Sequence, residues 1–258
     1  MAFKEKYPIK SNDFTLSAPG KRAVLLIHGY TGSPMHFKAF AEYLNKDGIH
    51  CRVMRLPGHG GDARDLARTT YLDWREAVHN ELKALDKSKT KVYILGYSFG
   101  SNLALDAARH YPDLVAGLIA FATPIFLRHH LSLRLLIRFF NRYSKTEVRR
   151  KPWVRRKRVA EYEAAGTYAQ VPIKSTQEFL SFIDDFTKPH LKDVKVPCLI
   201  LQAKEDPVVH PKSAAYIFNH LGSRDKKLVM IPGKEHATVS EAMLRRAYKE
   251  TLDFIISH

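Results

Sequence analysis

Cysteines and acidic residues are scarce in this 258-residue chain, and long apolar runs are absent. Cys51 and Cys198 each lie beside a predicted strand, so we expect two buried thiols rather than a disulfide, as is usual in a reducing cytoplasm. The stretches without a charge are short, and 114–127, for example, has 14 residues, whereas a membrane-spanning helix needs roughly 20 apolar residues. Residues 1–13 contain no apolar segment of the kind that a signal peptide has. We therefore expect a soluble, cytoplasmic protein.

The shortage of acidic residues leaves a strongly basic chain. Lys and Arg number 42 and Asp and Glu 26, a formal net charge of +16. Half of this excess is local, because residues 124–190 hold 14 Lys or Arg and 6 Asp or Glu. Nucleic acid, an anionic membrane and an acidic substrate are the partners that such a charge raises. Since 45% of the residues are hydrophobic, the chain can still bury a large core, and we expect one domain with an insertion.

Short runs rich in Val, Ile and Leu recur along the chain without clean alternation, which is typical of strands buried on both faces of a parallel sheet. They cover residues 23–27, 51–55, 92–95, 118–122, 199–202 and 228–231. Helix-like segments separate most of them, so we predict a three-layer α/β fold with a mostly parallel central sheet and helices on both faces. The alternation stops after residue 123, and helical patterns follow, including 131–143 and 176–186. We therefore predict a core of residues 1–123 and 197–258 and a helical, basic cap, or lid, of residues 124–196.

Two features of the predicted cap bear on its role. Arg134, Arg138 and Arg142 recur every four residues within the helical pattern 131–143, so they line one face of an amphipathic helix. A second basic run occupies 149–158. We favour a lid whose apolar side covers the core and whose basic side is solvated. Peripheral contact with an anionic membrane is the alternative, and nucleic acid is not the expected partner.

The segment 96–100, Gly-Tyr-Ser-Phe-Gly, follows one of the predicted strands and precedes the helix-like stretch 101–111. A serine on a sharp strand-to-helix turn needs neighbours without bulk, because the flanking positions crowd the strand and the helix. The pattern therefore predicts a nucleophile elbow that carries Ser98.

A serine hydroxyl is a weak nucleophile unless a base and an orienting acid accompany it. Asp206 follows the predicted strand 199–202, and His236 follows the strand 228–231. The carboxyl ends of parallel strands meet at one edge of a sheet, so both side chains are expected to lie near Ser98. Glu205 is the main rival for the acid and His210 for the base.

Attack on a carbonyl group also requires N–H donors for the developing oxyanion. We expect one from the main chain of Phe99, directly after the nucleophile, and the other from Tyr30, in the segment 28–32 of sequence His-Gly-Tyr-Thr-Gly. His28 is assigned a structural role. His59 invites a metal interpretation, but no Asp or Cys spacing typical of a zinc site accompanies it, so we predict no metal.

These motifs resemble those of α/β-hydrolases of the bacterial carboxylesterase and monoacylglycerol lipase type. The matching segments are 28–32, 56–60, 96–100, 206–209 and the late His236, and the resemblance covers nearly the whole chain. It implies that Ser98 is the nucleophile, Asp206 the acid and His236 the base, with Tyr30 and Phe99 as the oxyanion donors. The cap departs from this type, since it is longer and more basic.

We therefore expect a serine hydrolase that cleaves small acyl ester substrates through an acyl-enzyme intermediate, without a cofactor. A lysophospholipase or thioesterase acting on an anionic acyl substrate is the alternative within the enzymes, because one fold hosts many substrates. A non-catalytic module that binds anionic membrane or nucleic acid through the basic cap is the alternative of another class.

Overall fold

The runs of Val, Ile and Leu form the centre of the molecule. In a computed structural model, which describes residues 3–6, 10–86, 91–128, 148–150, 159–164, 167–234, 236 and 240–258, they are strands of one large sheet. Over all described residues, the strands are β1 (Phe14–Leu16), β2 (Arg22–Ile27), β3 (His50–Met54), β4 (Lys91–Tyr97), β5 (Val115–Phe121), β6 (Val148–Arg150), β7 (Gln170–Pro172), β8 (Cys198–Ala203) and β9 (Lys226–Ile231). All six predicted strands are confirmed.

Seven of these strands form the central sheet, in the order β1-β3-β2-β4-β5-β8-β9. Only β1 is antiparallel to its neighbour, and every other pair in this sheet is parallel. The prediction of a mostly parallel sheet is confirmed. The edge strand β1 was not predicted. It has three residues and is only half-buried, and its sequence therefore does not need the apolar run that marks the inner strands.

Helices cover both faces of the sheet, as predicted. The α-helices of four or more residues in the described part of the chain are α1 (Lys38–Lys46), α2 (Ala63–Leu66), α3 (Tyr71–Asp86), α4 (Phe99–His110), α5 (Val159–Ala164), α6 (Ile173–Ser181), α7 (Lys212–His220) and α8 (Glu241–Ser257). Trp74 of α3 and Phe99 of α4 belong to the apolar core on one face. Phe40 of α1 and Phe254 of α8 belong to the core on the other. Burial of these side chains on both faces stabilises the three layers.

The predicted cap is only partly described. Its helical pattern over 176–186 is confirmed, since α6 continues into a π-helix at Phe182–Thr187. The other predicted helix, 131–143, lies outside the described residues. A two-stranded antiparallel sheet of β6 and β7 was not predicted. The division of the chain into a core and a cap of residues 124–196 stays a prediction.

The two cysteines are free and buried, which confirms the prediction of two separate thiols. Burial raises the pKa of both thiols to about 12, so both are protonated and unreactive at neutral pH. Within the described part of the chain, none of the helices combines the length and the apolar character needed to span a bilayer.

A buried carboxylate, Asp106, holds α3 and α4 together. One of its oxygens accepts hydrogen bonds from Arg75 Nε at 2.6 Å and His79 Nε2 at 3.0 Å, and the other accepts from Arg109 Nη2 at 2.7 Å. Burial by itself would raise the pKa of Asp106, but the hydrogen bonds from His79, Arg75 and Arg109 outweigh it and hold this pKa well below its usual range. The folded structure therefore stabilises the charged form of Asp106 relative to the unfolded chain.

His79, Asp106 and His110 also form a group of close nitrogen and oxygen atoms that could in principle bind a metal ion. However, His110 Nε2 accepts a hydrogen bond from Arg75 Nη2 at 2.8 Å. A cation bound here would displace that bond and lie beside two guanidinium groups, Arg75 and Arg109. The cluster is better explained as an ion-pair network between two helices.

Replacing Asp106→Asn is expected to lower the free energy of unfolding at pH 7 by about 3 kcal/mol, because it leaves the buried ends of two arginines without their counter-charge. Since folding lowers the Asp106 pKa, its contribution to stability is complete above about pH 4 and is lost as the pH falls from there. Urea unfolding between pH 3 and 7 checks both points. The matched control is Asp253→Asn, whose ion pair with Lys249 is exposed. Equal loss in both variants would contradict the prediction.

Candidate active site

The turn between β4 and α4 carries Ser98 in a strained conformation. Its φ of 52° and ψ of −125° lie where L-residues rarely occur, at a cost of about 1–3 kcal/mol. The glycines on either side permit the turn. A Cβ at Gly96 would lie 2.4 Å from Ser101 Cα, and one at Gly100 would lie 2.1 Å from the carbonyl oxygen of Ile27. The motif of 96–100 therefore follows from backbone packing on both sides of the serine.

Three of the predicted site residues form one hydrogen-bonded chain. Ser98 Oγ lies 3.1 Å from His236 Nε2, and His236 Nδ1 lies 2.7 Å from Asp206 Oδ2. Asp206 follows β8 and His236 follows β9, and these strands are neighbours in the sheet. Because the carboxylate accepts a hydrogen bond from the Nδ1–H group, the Nε2 lone pair faces the serine hydroxyl. This is the tautomer that a general base requires.

The two rival residues, Glu205 and His210, form contacts with other partners. Glu205 is exposed and pairs with Lys234, with an oxygen–nitrogen distance of 3.4 Å. His210 accepts a hydrogen bond through Nδ1 from the main chain of Lys212 at 3.1 Å. Neither one is hydrogen-bonded to Ser98 within the described residues. The geometry therefore favours Asp206 and His236 as the partners of the serine.

The carboxylate of Asp206 is fully buried and fixed by several donors. Its Oδ1 accepts hydrogen bonds from the main-chain N–H groups of Val208 and Val209, each at 2.8 Å. Its Oδ2 accepts a further one from Gln202 Nε2 at 3.2 Å. Sequence reasoning missed Gln202, although a glutamine within an otherwise apolar predicted strand was an available signal, since a buried amide needs partners.

The imidazole of His236 is held from the side of the nucleophile turn. The hydroxyl group of Tyr97 donates a hydrogen bond to the main-chain oxygen of His236. The two rings also pack together, with their centroids 5.6 Å apart. The motif around Ser98 predicts no role for Tyr97. No sequence signal distinguishes this residue, because its partner lies 139 residues away.

The two predicted oxyanion donors, Tyr30 and Phe99, belong to segments that lie next to the nucleophile. Phe99 is the first residue of α4, so its N–H has no acceptor within the helix. The loop after β2 passes directly beside the serine, because a Cβ at Gly29 would lie 3.0 Å from Ser98 Cβ. Tyr30 follows on this loop, and its ring meets the ring of Phe99 edge-on with 6.5 Å between centroids.

Two histidines near this loop have structural roles. His28 is fully buried, and burial together with the nearby His59 holds its pKa well below the usual range, so the ring is neutral. It donates through Nδ1 to the carbonyl oxygen of Gly29 and accepts through Nε2 from the N–H of Leu56. His59 Nδ1 lies 3.0 Å from the carbonyl oxygen of Pro57. These contacts join the loops of 28–32 and 56–60.

Comparison with known proteins shows the family to which the chain belongs. Residues 18–243 match the Hydrolase_4 family, described as serine aminopeptidase, S33. A thermostable monoacylglycerol lipase from a Bacillus species is 28% identical over 259 residues, which cover 98% of each chain. A carboxylesterase from Bacillus subtilis is 22% identical over 92% of this chain and 93% of its own length.

Among solved structures, the monoacylglycerol lipase of Paleococcus ferrophilus superimposes with a TM-score of 0.80 at 17% identity, covering 95% of this chain and 98% of that one. At this identity the similarity shows the shared fold. The family match, in contrast, extends over residues 18–243, a range that includes Ser98, Asp206 and His236 as well as the predicted oxyanion loop, residues 28–32. The chain belongs to the Hydrolase_4 (serine aminopeptidase, S33) family and is an α/β-hydrolase of the bacterial carboxylesterase and monoacylglycerol lipase type.

Proposed function

We propose that the protein hydrolyses carboxylic esters by a Ser98-His236-Asp206 triad and an acyl-enzyme intermediate. The observation that carries the proposal is the continuous chain of hydrogen bonds, 3.1 Å and 2.7 Å long, from the serine through the histidine to the aspartate. The names of the relatives, monoacylglycerol lipase and carboxylesterase, support the ester as the bond that is cleaved. The protein is thus an ester hydrolase of that type, and the triad is our account of its mechanism.

Acylation begins when His236 Nε2 removes the proton from Ser98 Oγ. The oxygen then forms a bond to the ester carbonyl carbon, and Asp206 stabilises the imidazolium ion that results. When the carbon–oxygen bond to the alcohol breaks, the same proton passes from Nε2 to the leaving oxygen. In deacylation, Nε2 takes a proton from water, the hydroxide attacks the acyl carbon, and the proton returns to Ser98 as the acid leaves.

We assign to the main-chain N–H groups of Tyr30 and Phe99 the role of stabilising the negative charge that develops on the carbonyl oxygen. Each such donor is typically worth about 100 to 1,000-fold in rate, because it is fixed before the charge appears. The start of α4 adds the positive end of a helix dipole at Phe99. Both donors belong to residues that are packed into the same apolar core as Trp74.

We propose that the acyl chain lies between the sheet and the cap of residues 124–196. Phe179 and Phe182 support this, because both pack edge-on against Phe99, at 5.1 Å and 5.6 Å between ring centroids. An apolar wall next to the nucleophile suits a hydrocarbon chain. The basic residues of the cap would suit the alternative substrates, lysophospholipids and anionic thioesters. The two buried thiols suit a cytoplasmic location, which is part of the proposal.

Replacing Ser98→Ala is expected to reduce the hydrolysis of p-nitrophenyl esters by about 1,000-fold or more, because the nucleophile is removed and only binding and the oxyanion donors remain. Rates for acetate to palmitate esters are measured for both proteins, with lysophospholipids and acyl thioesters as further substrates. The control is Ser17→Ala, at an exposed position, which should keep full activity. Equal turnover by the Ser98 variant and the wild type would contradict the mechanism.

Replacing Gln202→Leu is expected to lower kcat/KM about tenfold, because Asp206 Oδ2 loses a donor that helps to orient it, an interaction of about 1 to 1.5 kcal/mol. The same substitution removes a buried amide, so thermal unfolding is measured alongside to confirm that the variant is folded. Gln170→Leu, at an exposed position in β7, is the matched control. Unchanged kcat/KM in the Gln202 variant would show that the main-chain donors alone fix the acid.

The basic character of residues 124–190 leads to a proposal about partners, namely weak electrostatic contact with anionic membrane surfaces. Most of the residues that carry it, including Arg134 and 151–158, lie outside the described residues. Co-sedimentation with phosphatidylserine vesicles is expected at low salt and should disappear at high salt, because exposed charges are screened. Phosphatidylcholine vesicles and a variant with glutamine at 155–158 are the controls. Absence of binding at low salt would favour the solvated lid.

A further inference from the structure

We infer that the hydroxyl group of Tyr30 is a positioning group for catalysis, because it ties the oxyanion loop to helix α6. The inference rests on the proposed function, in which the main-chain N–H of the same residue binds the oxyanion. Its side chain would then decide where that N–H lies. The argument uses three sets of contacts: the hydrogen bonds of the hydroxyl, the packing of the ring, and the support of the adjacent main chain.

The Tyr30 hydroxyl lies between two side chains at the start of α6. Its oxygen is 2.8 Å from Ser175 Oγ and 3.0 Å from Thr176 Oγ1. Thr176 Oγ1 donates its own hydrogen to the carbonyl oxygen of Pro172 at 2.7 Å. Thr176 must therefore accept at Tyr30, and the tyrosine hydrogen is directed to it.

The remaining lone pair of the tyrosine oxygen can then accept the hydrogen of Ser175. The alternative acceptor for Ser175, the carbonyl oxygen of Pro172, is more distant at 3.3 Å. One direction of donation thus runs from Ser175 to Tyr30, then to Thr176, and finally to Pro172. The hydroxyl groups of Tyr30 and Thr176 each donate one hydrogen bond and accept another in this chain, an arrangement in which neighbouring hydrogen bonds strengthen each other.

This chain of hydroxyls is closed to solvent at its α6 end. The exposed fraction is 0% for Ser175 and 4% for Thr176. Burial also raises the pKa of the Tyr30 hydroxyl far above its ordinary value, against the opposing effect of its two hydrogen bonds. The phenol is therefore a neutral donor at any pH at which the triad works. Loss of its oxygen would leave two buried hydroxyls with incomplete partners.

The aromatic ring of Tyr30 is fixed by the same helix and by the nucleophile turn. It stacks on Phe179 of α6, with 5.0 Å between centroids and 6° between planes. It also meets Trp74 edge-on at 6.1 Å. The ring therefore retains most of its packing if only the hydroxyl is removed, so the substitution Tyr30→Phe isolates the hydrogen bonds.

The main chain next to Tyr30 is held by another residue from the same part of the chain. The N–H of Tyr168 donates to the carbonyl oxygen of Thr31 at 2.9 Å. Thr31 has a positive φ of 65°, an unfavourable conformation for a β-branched residue. The strained loop thus keeps its shape through contacts with residues 168–179. Any displacement of α6 is passed to the N–H group beside the serine.

Tyr30→Phe is expected to lower kcat about tenfold and to change KM less than twofold. The oxyanion exists only in the transition state, so a displaced donor affects kcat rather than the binding of the ester. A full loss of one donor would cost about 100 to 1,000-fold, and the retained packing keeps the effect smaller. Thr176→Val should lower kcat in the same way, and the double variant should be no slower than Tyr30→Phe. Thr176→Ser keeps the hydroxyl and should retain wild-type kcat.

The control is Tyr93→Phe. Tyr93 is also fully buried, and its hydroxyl donates to the carbonyl oxygen of Ile255 at 3.1 Å, on the other face of the sheet. This variant should unfold at a lower temperature but keep the kcat of the wild type. If it loses as much kcat as Tyr30→Phe, the effect is general destabilisation and the inference is wrong. Wild-type kcat in Tyr30→Phe also overturns it, and so do additive losses in the double variant.

A second readout separates this inference from the proposed function. The rate at which a p-nitrophenyl phosphonate labels Ser98 is measured by mass spectrometry, because this reaction also develops charge on an oxygen in the oxyanion site. A tenfold slower rate in Tyr30→Phe supports the inference whatever the preferred substrate is. An unchanged rate overturns it while the triad stands. If Ser98 is not labelled in the wild type, the proposed function and the inference both fail.

Discussion

The strained backbone at Ser98 is the constraint on which the rest of the site depends. A positive φ at a non-glycine residue persists only where its surroundings hold it, and here several hydrogen bonds do so. The N–H of Ser98 donates to the carbonyl oxygen of Phe121 at 2.8 Å. Ser101 Oγ donates to the carbonyl oxygen of Gly96 at 2.6 Å. Because β4 lies at the centre of the sheet, hydrogen bonds and packing from its neighbouring strands stabilise this strained conformation.

The register of the parallel sheet brings the other groups to this turn. One row of paired residues crosses five strands, from Ile27 through Gly96, Ala120 and Ile200 to Leu228. The loops that leave the carboxyl ends of β2, β4, β8 and β9 therefore start at the same edge of the sheet, and each contributes one part of the candidate site. The sheet itself takes no part in the chemistry. Its burial on two faces keeps the loop origins fixed, and the hydrogen bonds of Asp206 and Tyr97 complete the alignment.

The contacts between the oxyanion loop and α6 connect two functions that are usually considered separately. Residues 173–187 pack against Phe99 and Tyr30, so the segment that would line the acyl pocket also supports the groups that stabilise the transition state. In the proposed mechanism, the shape of the pocket and the rate of the chemical step are therefore coupled. The family fold tolerates many substrates, and this coupling restricts which changes in the cap leave catalysis intact.

The sequence by itself determined the layers of the fold, because six short, largely apolar runs alternate with helical patterns. It also determined the elbow, since glycines at 96 and 100 are demanded by local backbone packing. Ser98, Asp206 and His236 could be predicted as site residues because each lies within about five residues of the end of a strand, β4, β8 or β9. The roles of Gln202, Tyr97, Ser175 and Thr176 were decided only by the tertiary structure. Each of these side chains is unremarkable in its local sequence, and what it does depends on which buried partner the fold brings to its polar atom.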